Sequence, residues 1–321
     1  MNAQRRKSSV AWLSVISNST LVLFKLIVGL AIGSISVISE AMHSGIDLAA
    51  AIIALLAVRT SGKPADQEHP YGHGKIENIS GFFEALLIAA AAIWIIIEAA
   101  QRLKHPGLEM DKIGWGILVM FISALANFFV SQRLTKIAKE TDSIALQADG
   151  CHLRTDVITS MGVMISLLLI MLLRFTFRVK FYWLDPASAI VVACFIFKTA
   201  YDLTRQSLRD LMDASLPIEE EAWIREYISR LRPSICGFHR LRTRKAGTER
   251  FVELHLIVEA HMLVTEAHDI SEVLTSAIEN RLPHTTVTVH IEPCDGKCPE
   301  ICIQGCFLSE GERQTQQRLC K

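Results

Sequence analysis

His43 and Asp47 stand four residues apart inside an apolar run, and His152 and Asp156 repeat that spacing in another. Residues four apart on a helix share one face, with Cβ atoms about 6 Å apart. A carboxylate at the centre of a bilayer helix costs on the order of 2.5–3.5 kcal/mol even on lenient insertion scales, so it needs a partner or a purpose. Two imidazoles and two carboxylates are a donor set that a divalent ion such as zinc takes in tetrahedral geometry. The competing reading has each His and Asp hydrogen-bonding a neighbouring helix. That suits one isolated histidine better than two matched pairs.

The elements that would position these groups are helices that cross a membrane. Half of the 321 residues are hydrophobic, and they gather in six runs at about 10–33, 36–59, 77–101, 112–132, 146–173 and 181–206. Each run is near the ~20 residues a helix needs to span the hydrocarbon core. The first is too long for a removable signal segment and lacks a small-residue cleavage site, so it reads as a spanning helix. Basic residues in the short connections favour the N-terminal side by nine to six, which predicts cytoplasmic termini. At 1.5 Å per residue, His43 and Asp47 fall about 10 and 16 Å from the outer end at Ser36, and His152 and Asp156 about 12 and 18 Å from the inner end near Ile144. All four therefore lie near mid-depth. Glu40, Glu84 and Asn127 are further polar residues inside apolar runs, placed either to line a cavity or to pair across helices.

The remaining third is ordinary soluble sequence, and the balance of 33 basic against 33 acidic residues gives no sign of nucleic-acid binding. Periodicity predicts a helix from Pro217 to Leu231, strands at Gly237–Arg244 and Phe251–Glu259, a helix at Val264–Leu282 and a strand at Thr285–Ile291. That αββαβ order makes a two-layer α+β domain. Between the second and third runs, Asp66, His69 and His73 occupy a connection broken by Pro64, Pro70, Gly72 and Gly74, so it can curl into a second metal position or be a solvated turn. Beyond Pro293, Cys294, Cys298, Cys302 and Cys306 recur every fourth residue. Such thiols suit zinc or another soft ion, or an iron–sulfur site. A flexible thiol-rich tail is the other reading, since Gly296, Pro299 and Gly305 interrupt a helix. Cys151, Cys194 and Cys236 show no partner pattern.

From Ser8 to Pro293 the chain resembles the cation diffusion facilitator family of metal/proton antiporters, through the paired HxxxD motifs and the GHGK loop. The resemblance implies a transport site at His43, Asp47, His152 and Asp156, and a loop site at Asp66, His69 and His73. It implies a ferredoxin-like, metallochaperone-like cytoplasmic domain that dimerises and closes on metal held by His239, His255, His268, His290 and Glu292. Ile291 stands where some members bring a polar ligand. A Lys75–Asp213 salt bridge at the cytoplasmic face is implied as well. The His-Asp, His-Asp set is similar to that of zinc-preferring members, with cadmium, cobalt and ferrous iron open. The expectation is a polytopic homodimer with six transmembrane helices over 1–212, a cytoplasmic domain over 213–293 and a Cys-rich tail over 294–321. It would sit in a bacterial inner membrane and export divalent metal against protons without enzymatic chemistry. A membrane-bound sensor or scaffold that binds metal without moving it is the alternative.

Overall fold

Six long helices take up the apolar runs: α1 (Ala3–Ile32), α2 (Ile35–Ser61), α3 (Lys75–Lys104), α4 (Ile113–Thr141), α5 (Ile144–Phe177) and α6 (Leu184–Leu211). The computed structural model describes residues 3–32, 35–104, 113–177, 184–297 and 299–319, with side chains at all of these except 32, 35–40, 102, 113–117, 162–177, 184, 185, 188 and 319. Glu40 and Cys298 therefore lie outside the described side chains. Among the described residues, four stretches are long and apolar enough to cross a membrane: Ala3–Ala31, Ala41–Ser61, Lys75–Gln101 and Leu118–Thr141. α5 carries Asp149, Arg154 and Asp156, and α6 carries Lys198, Asp202 and Arg205, so composition marks those two less clearly.

α4 runs nine residues past the expected end at 132. Hydropathy falls there while the helical period persists: Leu134, Ile137 and Ala138 turn inward, and Arg133, Lys136 and Lys139 outward. The inward residues join Ala11 and Val15 of α1, Leu55 and Val58 of α2, and Leu146 and Leu153 of α5 in one core. A second core joins α3, α5 and α6 through Ile88, Ala148 and Ile196. The alanines let backbones approach closely, which is how helices associate where lipid offers no hydrophobic drive.

One buried charge ties four segments of this unit. Glu77, fully buried on α3, accepts from Lys7 of α1 at 2.8 Å, from Ser61 of α2 at 2.7 Å and from Ser143 just ahead of α5. A buried carboxylate survives only when paired and hydrogen-bonded, and here both conditions are met.

Residues Met212–Lys321 form a separate compact unit. Its order is α7 (Ile218–Arg230), β1 (Gly237–Ala246), β2 (Glu249–Glu259), α8 (Val264–Arg281) and β3 (Thr285–Cys294). This is the αββαβ arrangement expected from periodicity. β1 and β2 form a hairpin across Gly247 at φ +63°, and β3 returns parallel to β2 after the α8 crossover, giving sheet order β1-β2-β3. Val252, Leu254, Leu256 and Val258 of β2 pack on Ile224 and Ile228 of α7 and on Leu274 and Ile278 of α8. Alternation then sends Glu253 and His255 to the other face.

The segment after Cys294 is folded, which corrects the expectation of a flexible tail. α9 (Glu300–Gln304) and α10 (Glu310–Leu319) follow β3, and Cys306 bridges to Gly237 at the start of β1. The reason is local: Phe238 donates to the Gly305 carbonyl at 3.1 Å, and Phe307 donates to the Cys236 carbonyl at 2.8 Å. A Cβ on Gly305 would meet the Phe238 oxygen at 1.7 Å, so only glycine admits this approach.

Candidate metal centre

α2 and α5 are in contact, and Asp47 meets His152 while Asp156 meets His43 and Asp47. The pairs therefore match crosswise. Asp47 Oδ1 lies 3.0 Å from His152 Nε2, and His43, Asp47 and Asp156 each bring one ligand atom within 4.8 Å of the others. Asp47 and His152 are buried, Asp156 is half-buried and His43 is exposed. His152 Nδ1 and Asp156 Oδ2 are buried without a hydrogen bond among the described residues, as ligand atoms awaiting a cation would be. Lys25 of α1 donates to Ser44, beside His43, at 2.8 Å, and Asp156 is within electrostatic reach of Lys25.

Sequence reading missed Asp149, one turn before His152, and left the role of Glu84 open. Both are buried, and both oxygens of Glu84 and Oδ2 of Asp149 have no hydrogen-bond partner among the described residues. Ser80 stands beside Glu84 and Ser14 beside Asp149. The signal was available, because Asp149, His152 and Asp156 follow i, i+3, i+7 and share one helix face.

The loop residues also converge. His69 Nδ1 lies 3.5 Å and His73 Nε2 3.3 Å from the Asp66 carboxylate, and the two rings sit 4.6 Å apart. Gly72 at φ +81° turns the chain so that this happens. The His69 backbone N–H, with that of Glu68 and the two imidazoles, holds the Asp66 carboxyl below its ordinary range.

On the sheet, strand register does the positioning. His239, His255 and His290 occupy paired positions on β1, β2 and β3. Glu292 lies two residues along β3 and so shares their face. Its carboxylate is 2.7 Å from His255 Nδ1, 3.0 Å from His239 Nε2 and 3.6 Å from His290 Nε2. A β-bulge follows His239, with Arg240 at φ +50°, the kind of irregularity that re-aims side chains beside sites. Partial burial would raise the Glu292 carboxyl, but the His255 hydrogen bond and the nearby His239 outweigh it and hold it below the usual range. His268 does not join this cluster. It is exposed on α8, whose buried residues Ala267, Ser271, Leu274 and Ile278 face the opposite side of the sheet.

The membrane unit and the sheet unit each have a counterpart among known proteins. Residues 11–212 match the cation efflux transmembrane domain, and residues 216–294 match the cytoplasmic domain of cation efflux proteins. The chain belongs to the cation diffusion facilitator family. An uncharacterised transporter of Synechocystis, sll1263, is 36% identical over 263 residues, covering 82% of this chain and 83% of that protein. The cation-efflux pump FieF of Citrobacter koseri is 30% identical over 292 residues, covering 90% and 94%. The metal-bound C-terminal domain of the CzcD transporter from Thermotoga maritima is 26% identical over 24% of this chain and 94% of that domain, at a TM-score of 0.22, too low to bear on the fold. This facilitator is thus an integral membrane cation efflux transporter and not an enzyme.

Two features of the transporter remain to be placed. Lys75 donates to the Leu211 carbonyl at 3.4 Å within the membrane unit, and Asp213 accepts from Arg244 at 3.3 Å within the sheet unit. Cys236 and Cys294 pack with Cys302 around Ile257 and Leu308 at the end of the sheet, and Cys306 lies within electrostatic reach of Cys236. Burial, with Cys294, Cys306 and Glu259 nearby, pushes the Cys236 thiol up to about 12.

Proposed function

We propose that this facilitator exports a divalent cation, zinc foremost, from the cytoplasm in exchange for protons. It would act as a homodimer whose six helices cross a plasma membrane and whose termini are cytoplasmic. The observation that carries the reading is the meeting of His43, Asp47 and Asp156 from two non-consecutive helices, with ligand atoms within 4.8 Å of one another, and of His152 with Asp47 at 3.0 Å. Two nitrogen and two carboxylate donors suit zinc, while cadmium, cobalt and ferrous iron share the affinity series.

Exchange follows from the donors. Metal needs neutral imidazoles and ionised carboxylates, so loading expels protons and protonation expels metal. Histidine, with a reference pKa of about 6.5, makes that exchange effective near neutral pH. Exposure rises from Asp47 and His152 towards His43 and Asp156. The crosswise pairing puts the more open pair nearer the α2 N-terminus, the side read as external. We take this arrangement as the releasing state. Asp149, buried one turn before His152 on α5, and Glu84, buried on α3, would receive the ion on entry. The loop cluster and the sheet histidines would bind the same cation outside the translocation path, the sheet site as a regulator of the dimer.

The test is zinc uptake into inside-out vesicles driven by a pH gradient. Asp156→Ala should abolish it while the protein still elutes as the wild type does. Unchanged uptake would falsify the transport site.

A further inference from the structure

We propose that Lys25 of α1 is the resident counter-cation of the transport site, a fixed positive charge that weakens the hold on a divalent ion far enough for the ion to leave. The inference rests on the reading of His43, Asp47, His152 and Asp156 as that site. It adds a third helix to a site read so far from α2 and α5 alone.

α1 turns a polar line inward. Lys7, Ser14, Asn18 and Lys25 are spaced by seven, four and seven residues, which at 3.6 residues per turn keeps each within about 20° of Lys7 around the helix. All four are buried, at 5% exposure or less. Polar and ionisable side chains inside a span face the bundle interior or a cavity, and they mark the route of an ion. Ser14 stands beside Asp149, and the side-chain nitrogen of Asn18 is buried without a hydrogen bond among the described residues. Lys25 ends the line at the ligands. Its Nζ donates to Ser44 Oγ at 2.8 Å, and Ser44, itself 6% exposed, directly follows His43 and lies one turn before Asp47.

A buried lysine can also serve as plain glue between two helices, here α1 and α2. Serine alone does not explain it, because a hydroxyl accepts a hydrogen bond without balancing charge. An ammonium this deep requires a carboxylate, and Asp156 lies within electrostatic reach. Lys25 therefore contends with the transported ion for the same acid. With two ionised carboxylates and a divalent ion the loaded site would be neutral, and Lys25 leaves one positive charge over. In the empty site the same lysine offsets one of the two negative charges. Away from water such differences count for more, and both favour the empty state. Lysine suits the task, since its ammonium is a compact charge on a flexible stem with no acceptor. It repels a metal ion without becoming a ligand.

The experiment is zinc uptake by the full-length protein in inside-out vesicles, measured against zinc concentration. Lys25→Met keeps length and removes charge. Its KM should fall about tenfold or more, the scale on which residues around metal ligands tune affinity. Its kcat should fall as well, because release becomes the slow step. Lys25→Arg retains the charge and should stay near the wild type in both constants. A raised KM in Lys25→Met, a fall in kcat at unchanged KM, or an arginine variant that behaves as methionine does would overturn the proposal. Should Lys25→Met fail to elute as the wild type does, Ser44→Ala decides. It keeps the charge and frees its head, so KM should shift in the same direction by less, and an unchanged KM overturns the idea. Asp156→Ala is measured alongside. Uptake that survives it defeats the transport site itself, whereas its loss beside an unlowered KM in Lys25→Met defeats only the role given to the lysine.

Discussion

Two of the transporter's imidazole–carboxylate clusters, one between helices and one across a sheet, differ most in access to water. The side chains of Asp47 and His152 are each 7% exposed, whereas Glu292 is 34% and His290 64% exposed. On the sheet, water reaches Glu292 and His290 whenever metal is absent, so that side of the cluster can stand empty at little cost. Between the helices, Asp47 and His152 have no such fallback. Buried atoms such as Asp156 Oδ2 must be met by a cation, either metal or proton. The same donors thus make an obligatory exchanger in one place and an optional binder in the other.

Breaking the helical cluster should have the largest effect. Asp47→Asn keeps shape and removes charge from a residue that touches His152 and faces His43 and Asp156. Zinc flux should fall by more than the ~100-fold that loss of a supporting residue can cost. His255→Ala, measured in the same vesicles, should leave most of the flux and lower the zinc bound per chain. Equal losses in the two variants would erase the distinction. Next in size is the scaffold. Glu77→Ala strands the buried Lys7 ammonium, and breaking such a pair costs about 3–5 kcal/mol. Thermal unfolding of the purified protein should show it, and adding Lys7→Met should recover much of the loss.

Glu292→Gln sharpens the comparison from the sheet side. Zinc affinity of the sheet cluster should drop roughly 10–100-fold, read by competition with a chromogenic chelator. The acid limb of stability carries a sign as well. The Glu292 carboxyl is held below its ordinary value, so its pairing stabilises the fold above that value and is lost as pH falls through the folded one. Wild type and Glu292→Gln should therefore differ near neutral pH and converge in acid. A difference that grew on acidification would contradict the assignment.

Much of this was legible beforehand, for identifiable reasons. The helices announce themselves by hydropathy, and the αββαβ order by a switch between periods of 3.6 and 2, visible from Ile224 and Ile228 to Val252, Leu254 and Leu256. The two HxxxD pairs could be found because a charge in an apolar run is conspicuous. Asp149 was hidden because it sits near the polar start of α5. Glu77 was hidden because a carboxylate at a helix entrance looks solvated until Lys7, Ser61 and Ser143 close around it. The amphipathic end of α4 escaped a reading based on mean hydropathy. Cys236 and the docking of Gly305 on Phe238 depend on tertiary approach that no local spacing encodes.

The smallest expected effect belongs to the loop, which is intermediate between the two clusters. Asp66 and His69 are more than half exposed while His73 is 8% exposed, so one ligand is anchored and two face water. Asp66 also accepts from the backbone of Glu68 and His69 at 3.0 and 2.7 Å, and it therefore shapes the turn as well as offering a carboxylate. Because the cluster lies outside the α2–α5 contact, Asp66→Ala should leave maximal zinc flux unchanged. At limiting zinc, flux should fall a few-fold, since a local binding position has been lost. Asp66→Asn separates the two roles: its side-chain oxygen still accepts from the backbone, while its charge is gone. If Asn restored flux at limiting zinc, the residue would act through the turn. If it behaved as Ala does, metal binding would be the function of the loop, and a fall in maximal flux would place the loop inside the transport cycle.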